Sequence, residues 1–373
     1  MADATVLAHH WLFEPRGGER VLAELAAIFP RAAILTAFVE PHPRGWPEPI
    51  AALTARALPG RLQPLYRAAR GCPALWPLLL PLLPWGMRGG FGGVLHSADR
   101  LVISDAGLAK LVAADATAPA AVYLHSPMRH IWHDSEQTER QVPPPLRPAA
   151  RAIIASLREA DRRAAGRVAS WAANSRMTAR RASECYGIAA ESIAVIHPPV
   201  SIPARAAAAG PRAGLLVVSG MQPYKNDILA VQAAARLRLP LTVVGNGPAR
   251  RRLEAAAGPH TRFLGYRSDA EVDGLYRSSA ALIFSGVEDF GLVPVEAIAR
   301  GCPVVALAAG GCLETVAADV TGVFFAESRV DACAAAIERC LGRPWDPVVM
   351  HAAAERFAPD AFRAVVQDWL GRR

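Results

Sequence analysis

The chain has 373 residues, room for two to three domains at roughly 100–200 residues each. Apolar residues make up 52% and charged residues 20%, which excludes disordered and fibrous classes; six scattered cysteines without a Cys-x-x-Cys pair exclude a disulfide scaffold and suit a reducing compartment. The net charge of +8 rests on arginines spread along the chain with no zinc-finger, RNP or basic-zipper pattern, so no nucleic-acid partner is expected.

The opening MADATVLAHHWLF lacks a basic start, a long apolar stretch and a cleavage site, so no secretory signal is expected. From there short apolar runs alternate with alanine-rich stretches, the pattern of parallel α/β architecture. Predicted strands in the first half cover 5–8, 33–36, 101–104, 120–124, 168–172 and 193–196. Residues 73–87 are apolar but broken by Pro77, Pro81 and Pro84, and a bilayer crossing needs about 20 apolar residues. The proline-, alanine- and glycine-rich stretch 198–213 has no strand signal and reads as a linker.

Beyond it, strands are predicted over 215–219, 241–245, 262–265, 281–285, 304–307 and 322–325, with helices over 227–237, 249–257, 270–278, 293–300 and 330–341. The expected organisation is therefore a first Rossmann-like domain over 1–197, a linker over 198–213 and a second such domain over 214–355. A last segment, 356–373, holds a helix over 359–370 that would cross back to the first domain. The cleft between two such domains is the default ligand site.

Four constellations carry chemistry. The run 286–296 (GVEDFGLVPVE) follows a predicted strand, so Glu288 falls where ligands of open α/β sheets bind; Pro294 suits a first helical turn, and Phe290, Gly291 and Leu292 would present backbone N–H groups to an anion. The run 219–227 (SGMQPYKND) puts Lys225, one of only two lysines, near a helix start, where it would neutralise phosphate. Gly17 and Gly18 open a helix after the first strand and let backbone approach a diphosphate; Gly310 and Gly311 repeat that logic. The block 123–133 (YLHSPMRHIWH) places His125, Arg129, His130, Trp132 and His133 at a strand's carboxyl end as a polar, aromatic wall. No Asp-x-Asp occurs, so no metal is expected at the diphosphate, whose charge would be met by Lys225, arginines and helix termini.

In order and spacing these motifs resemble the retaining glycosyltransferases of family 4, with the GT-B fold of two facing Rossmann-like domains. The resemblance spans nearly the whole chain: the glycine pair 17–18, HSPMR at 125–129, ANS at 173–175, IHPPV at 196–200, PYK at 223–225, VGNGP at 244–248, FLGY at 263–266, and glutamates 288 and 296. It implies a nucleotide-diphosphate sugar donor and no cofactor. Glu296 would hydrogen-bond the ribose, while Glu288 and the N–H groups of Phe290, Gly291 and Leu292 would contact sugar and phosphates. Lys225 would clamp the diphosphate, Gly17 and Gly18 would approach it, His125 would border the reacting carbon, and Gly245 and Tyr266 would lie near the base. Glu288, His125 and Lys225 are thus the catalytic candidates. The HSPMRxxW block is most like bacterial members that use GDP-mannose, which implies a mannosyltransferase of surface polysaccharide synthesis. Two departures affect positioning: Gly220 stands where the family usually carries arginine, and His10 where relatives often have aspartate.

Residues 49–98 hold no acidic side chain but include Arg56, Arg61, Arg67, Arg70 and Arg88, with Tyr66, Trp76 and Trp85 among them and Trp46 beside them. Arginines near an anionic leaflet contribute about 1 kcal/mol each, and Trp and Tyr favour a bilayer interface. A cytoplasmic protein held peripherally at the inner face of the membrane through 56–88 would suit a lipid-linked saccharide acceptor. The competing readings are a UDP-sugar-dependent transferase, a sugar-nucleotide epimerase on the same fold, and a non-catalytic sugar-nucleotide-binding protein, the last motivated by Gly220. A dehydrogenase is disfavoured because no Gly-x-Gly-x-x-Gly follows the first strand.

Overall fold

In a computed structural model the chain is described over residues 4–13, 17–40, 48–69, 80–87, 91–207 and 210–371. It divides into two compact units, residues 1–198 with 363–373, and residues 199–362.

Among the described residues the first unit is built on a seven-stranded sheet, β1 (Thr5–His9), β2 (Ala33–Thr36), β3 (Ala57–Pro59), β4 (Arg100–Asp105), β5 (Ala120–Leu124), β6 (Val168–Ala173) and β7 (Ile193–Val195), in the order β3-β2-β1-β4-β5-β6-β7. Every pairing is parallel. The central strands β1 and β5 are buried along their whole length, which is why they read as unbroken apolar runs rather than alternating ones. All six predicted strands are present to within two residues; β3 is the addition, a short edge strand ending at Pro59, where a missing N–H is tolerated.

The second unit carries six parallel strands, β8 (Leu215–Val218), β9 (Leu241–Val244), β10 (Thr261–Gly265), β11 (Ala281–Phe284), β12 (Val304–Leu307) and β13 (Gly322–Phe325), ordered β10-β9-β8-β11-β12-β13. Its helices follow the predicted ones, from Ile228–Leu237 to Val330–Leu341. One of them, Asp269–Ser278, starts with a capping box in which Ser268 and Glu271 satisfy each other's backbone N–H. Residues just past Pro198 pack inside this unit: Val200 is buried and its N–H donates to the Phe357 carbonyl, and Arg300 donates to the Ser201 carbonyl.

In both sheets the strand order reverses once, between β1 and β4 and between β8 and β11. Such a reversal splays the loops that leave the two strand ends and opens a crevice beyond their carboxyl termini, where ligands of open α/β sheets bind. Among the described residues no helix is long and apolar enough to cross a membrane.

Candidate active site

In the second unit the chain leaving β8 makes a single 3-10 turn, Pro223–Lys225, then the left-handed residue Asn226, before the helix Ile228–Leu237 begins. Lys225 therefore lies three residues ahead of that helix rather than in its first turn. The chain leaving β11 passes through Gly286, where a Cβ would come within 2.7 Å of the Lys225 backbone. This close approach brings the two side chains together: Lys225 Nζ donates to Glu288 Oε1 at 2.6 Å, with the partners 17% and 21% exposed. The pair thus spans the ends of the two strands that flank the reversal. Burial works against the ammonium and is the largest influence on it, yet the charge and hydrogen bond of Glu288 outweigh burial and raise the Lys225 pKa above that of an ordinary lysine.

Around this pair the fold explains several glycines. A Cβ on Gly245, at φ 107°, would meet the Ser219 carbonyl oxygen at 2.0 Å, and one on Gly311 would meet Phe290 Cα at 2.3 Å. Gly310 and Gly311 therefore serve packing against the 288–290 loop, and the Gly311 N–H donates to the Glu288 carbonyl. At Gly220, by contrast, a Cβ would meet nothing within 4 Å, so the backbone there leaves open space for a side chain. Gly291, at φ 89°, starts the helix Leu292–Ala299, whose N-terminus has no side-chain cap. Phe290 turns its ring into the core against Phe357, so only its backbone could serve an anion. Glu296 lies in that helix and accepts a hydrogen bond from the buried Tyr276 hydroxyl at 3.1 Å; Tyr266 is 75% exposed.

Beside Lys225 the Ser219 hydroxyl donates to Asp227 Oδ2 at 2.6 Å and accepts from the Met221 N–H. Burial lifts the Asp227 pKa to about 6, against the lowering by Ser219 and Lys225.

In the first unit the helix Gly17–Ile28 opens on the glycine pair. A Cβ on Gly18 would touch His9, His10 and His125 only at ordinary contact distances of 3.4–3.7 Å, so packing alone does not demand a glycine there. Arg16, just ahead, lies outside the described residues. His125 follows β5 and is half-buried, while His130 and His133 are exposed. Its backbone is anchored on both sides: its N–H donates to the Asp105 carbonyl, and its carbonyl accepts from Asn174 Nδ2 at 2.9 Å. That gives the 173–175 motif a task at the level of structure.

Behind the block lies a buried ionic cluster. Lys110 Nζ sits 2.8 Å from Asp105 and 2.6 Å from Asp161, all three fully buried. Trp132 Nε1 and the Tyr186 hydroxyl both donate to Asp161 Oδ2. Burial pushes against the lysine charge, yet the two carboxylates hold the Lys110 pKa well above its usual value. Removing one member would strand a buried charge, a loss of about 3–5 kcal/mol.

Sequence reasoning passed over two residues here, His9 and Ser104, because ninety-five positions separate them and only the parallel register pairs them; Glu19 was read only as part of the run 16–20 that opens the first helix. His9, His10 and Glu19 are the one group among the described residues that offers three ligand atoms, all within 4.8 Å of one another. The His9–Glu19 edge of 3.8 Å is looser than the roughly 3.4 Å between donors of a tetrahedral zinc site.

The basic stretch 56–88 divides. Arg56 donates to the carbonyls of Pro30 and Ala32, so its charge serves the fold, and Tyr66 is buried and donates to Glu40. Arg61 lies over the Trp85 ring, which is 56% exposed, with Leu58, Leu65 and Leu82 also exposed. Trp46, Arg70, Cys72, Trp76 and Arg88 lie outside the described residues; the other five cysteines are buried and free.

Three comparisons bear on this site. The chain is 36% identical over 177 residues to the glycogen synthase of Mycobacterium tuberculosis, 44% of this chain and 41% of that one. It is 30% identical over 177 residues to the human alpha-1,3/1,6-mannosyltransferase ALG2, 40% of this chain and 42% of that one. The chain thus spans about two fifths of the length of these relatives. Its fold matches that of Anabaena Alr3699/HepE in complex with UDP-glucose, with a TM-score of 0.70 at 19% identity, over 99% of this chain and 100% of that one. This is the two-sheet α/β architecture of GT-B glycosyltransferases. Residues 202–357, nearly the whole of the second unit with Lys225, Glu288 and Glu296, match the family of glycosyl transferases group 1.

Proposed function

We propose that the protein is a retaining glycosyltransferase of family 4 that moves a hexose from a nucleotide-diphosphate sugar to a saccharide or lipid-linked acceptor, without a metal at the diphosphate. The observation that carries this reading is the Lys225–Glu288 pair at the strand reversal of the unit that matches the family. The ammonium is charged, sheltered and held by a single carboxylate. An arriving diphosphate offers it more negative charge, so Lys225 turns to the phosphates and Glu288 is released toward the sugar. Developing charge on the departing diphosphate is then met by Lys225 and by the uncapped N–H groups at the start of Leu292–Ala299. No step here assigns a protein nucleophile: the acceptor hydroxyl attacks on the face that the diphosphate leaves, and the phosphate oxygen takes its proton. Glu296 receives the ribose, with its carboxylate held by Tyr276. Gly245 and Tyr266 serve the base, and Gly17, Gly18 and His125 serve the same donor from the first unit.

GDP-mannose is the donor we propose first, on the resemblance of the 125–132 block and the similarity to a mannosyltransferase. UDP-glucose stands second, because HepE binds it. Thermal protection by a panel of nucleotide sugars ranks them. Lys225→Ala and Glu296→Ala are each expected to lower turnover on the best donor about a hundredfold or more while the fold stays intact, as read by circular dichroism. Wild-type turnover in both variants removes the assignment, and a strict magnesium requirement removes its metal-free form. We further propose peripheral attachment to an anionic leaflet through Arg61, Arg67, Trp85 and the exposed leucines, with a polysaccharide-building role at the inner face of a bacterial membrane. Salt-reversible co-sedimentation with anionic liposomes is the expected result, and its absence ends that part of the reading.

A further inference from the structure

Three neighbouring strand ends in the first unit are joined by side chains. His9 closes β1, Ser104 is the penultimate residue of β4, and His125 follows β5. Ser104 Oγ lies 3.0 Å from His9 Nδ1 and 2.8 Å from His125 Nε2. His9 Nδ1 is also 3.1 Å from the Ser104 carbonyl oxygen, and its far nitrogen, Nε2, faces Glu19 Oε1 at 3.8 Å. His9 and Ser104 are fully buried, and Glu19 nearly so. The chain of contacts therefore runs from Glu19 through His9 and Ser104 to His125, across the reversal between β1 and β4.

Hydrogen-bond accounting fixes the direction of this chain. A carbonyl oxygen can only accept, so His9 Nδ1 carries a hydrogen and shares it between the Ser104 carbonyl and hydroxyl oxygens. The Ser104 hydroxyl then accepts from His9, and its own hydrogen needs an acceptor. Among the described residues the one acceptor recorded within its reach is His125 Nε2. A hydroxyl hydrogen left unmatched at a fully buried position would cost about 1–3 kcal/mol, which decides against the reverse arrangement.

We propose that Ser104, backed by His9, is a positioning residue for His125: it holds the ring with Nε2 accepting, so that the neutral imidazole carries its hydrogen on Nδ1. The kinetic consequence rests on the glycosyl-transfer reading above, in which His125 borders the reacting carbon; the ring state does not. Fixing one tautomer removes a choice that a free imidazole would make at random, and it sets the orientation of the ring before substrate arrives.

The test uses the full chain labelled with nitrogen-15 histidine, with the His125 signals assigned by their loss in His125→Gln. Long-range proton–nitrogen correlations are expected to show hydrogen on Nδ1 of His125 in the wild type. In Ser104→Ala the two ring nitrogens should move toward averaged values, and Ser104→Thr, which keeps a hydroxyl, should restore the wild-type pattern. With a nucleotide sugar that the wild type turns over, kcat in Ser104→Ala should fall about ten- to a hundredfold with KM little changed, comparable to losing an outer partner of a metal-bound histidine. A wild-type ring protonated on Nε2, or an alanine variant whose ring pattern does not move, overturns the proposal. So does an alanine variant with shifted ring signals and wild-type kcat. The expected ring pattern in a wild type that turns over no nucleotide sugar supports the hydrogen-bond chain and counts against glycosyl transfer instead.

Discussion

Asp227 shows how a single side chain records its surroundings. It is buried beside Ser219 and Lys225, and its pKa of about 6 stands above the 3.8 of an exposed aspartate. The folded state therefore binds this proton more tightly than the unfolded chain does. The stability it brings is complete below about pH 4 and is lost as the pH rises through about 6. Asp227→Asn keeps an acceptor for the Ser219 hydroxyl but removes the titration. Across that interval the variant should gain on the wild type by up to about 3 kcal/mol, as read from denaturant unfolding at pH 4, 5, 6 and 7. Parallel curves would show that the Asp227 carboxyl does not titrate in that window. At this scale Lys225 and Glu288 were legible in the sequence, because a rare lysine and an acidic residue each follow an apolar run. Ser104 was not, since an ordinary serine acquires its place through a strand pairing made ninety-five residues away.

Among the elements, the glycine-bearing turns separate two reasons for the same residue. Gly245 is required by the fold, with positive φ and the Ser219 carbonyl oxygen where a Cβ would go; Gly18 is under no such constraint. Gly245→Ala should therefore cost about 2 kcal/mol or more of stability, and Gly18→Ala less than about 0.5 kcal/mol while weakening use of a nucleotide sugar. Calorimetric melting beside donor turnover checks both halves. Equal destabilisation by the two changes would refute the distinction. The strands were readable because parallel strands buried on both faces are written as continuous apolar runs. The edge strand Ala57–Pro59 escaped notice because three residues ending in proline carry no such run. The 3-10 turn that holds Lys225 ahead of its helix escaped for a related reason: the left-handed Asn226 that separates them is an ordinary residue on the page.

For the molecule as a whole, the tail matters more than its position suggests. The helix Pro359–Gly371 begins among residues of the second unit, and from Arg363 onward belongs to the first. Arg363 pairs with Glu24 of the opening helix, and Val366 and Leu370 are buried. Truncation after Phe362 should lower the apparent melting temperature of the first unit by several degrees, measured by differential scanning calorimetry. An unshifted melt would mean that the tail contributes no stability. The α/β class was plain from the alternation of runs. A tail helix crossing back to the first domain was among the expectations from the sequence; its partner Glu24, 339 positions from Arg363, was not, because no local pattern reaches that far.

This arrangement has a consequence during synthesis. A ribosome that has made everything up to Pro198 must still deliver Pro199–Phe362 before the missing strip of helix can arrive. At about 5–20 residues per second the wait is on the order of ten seconds or more, long compared with collapse of a nascent polypeptide. Throughout it the apolar surface meant for Val366 and Leu370 stays uncovered, an opening that holding chaperones are suited to fill.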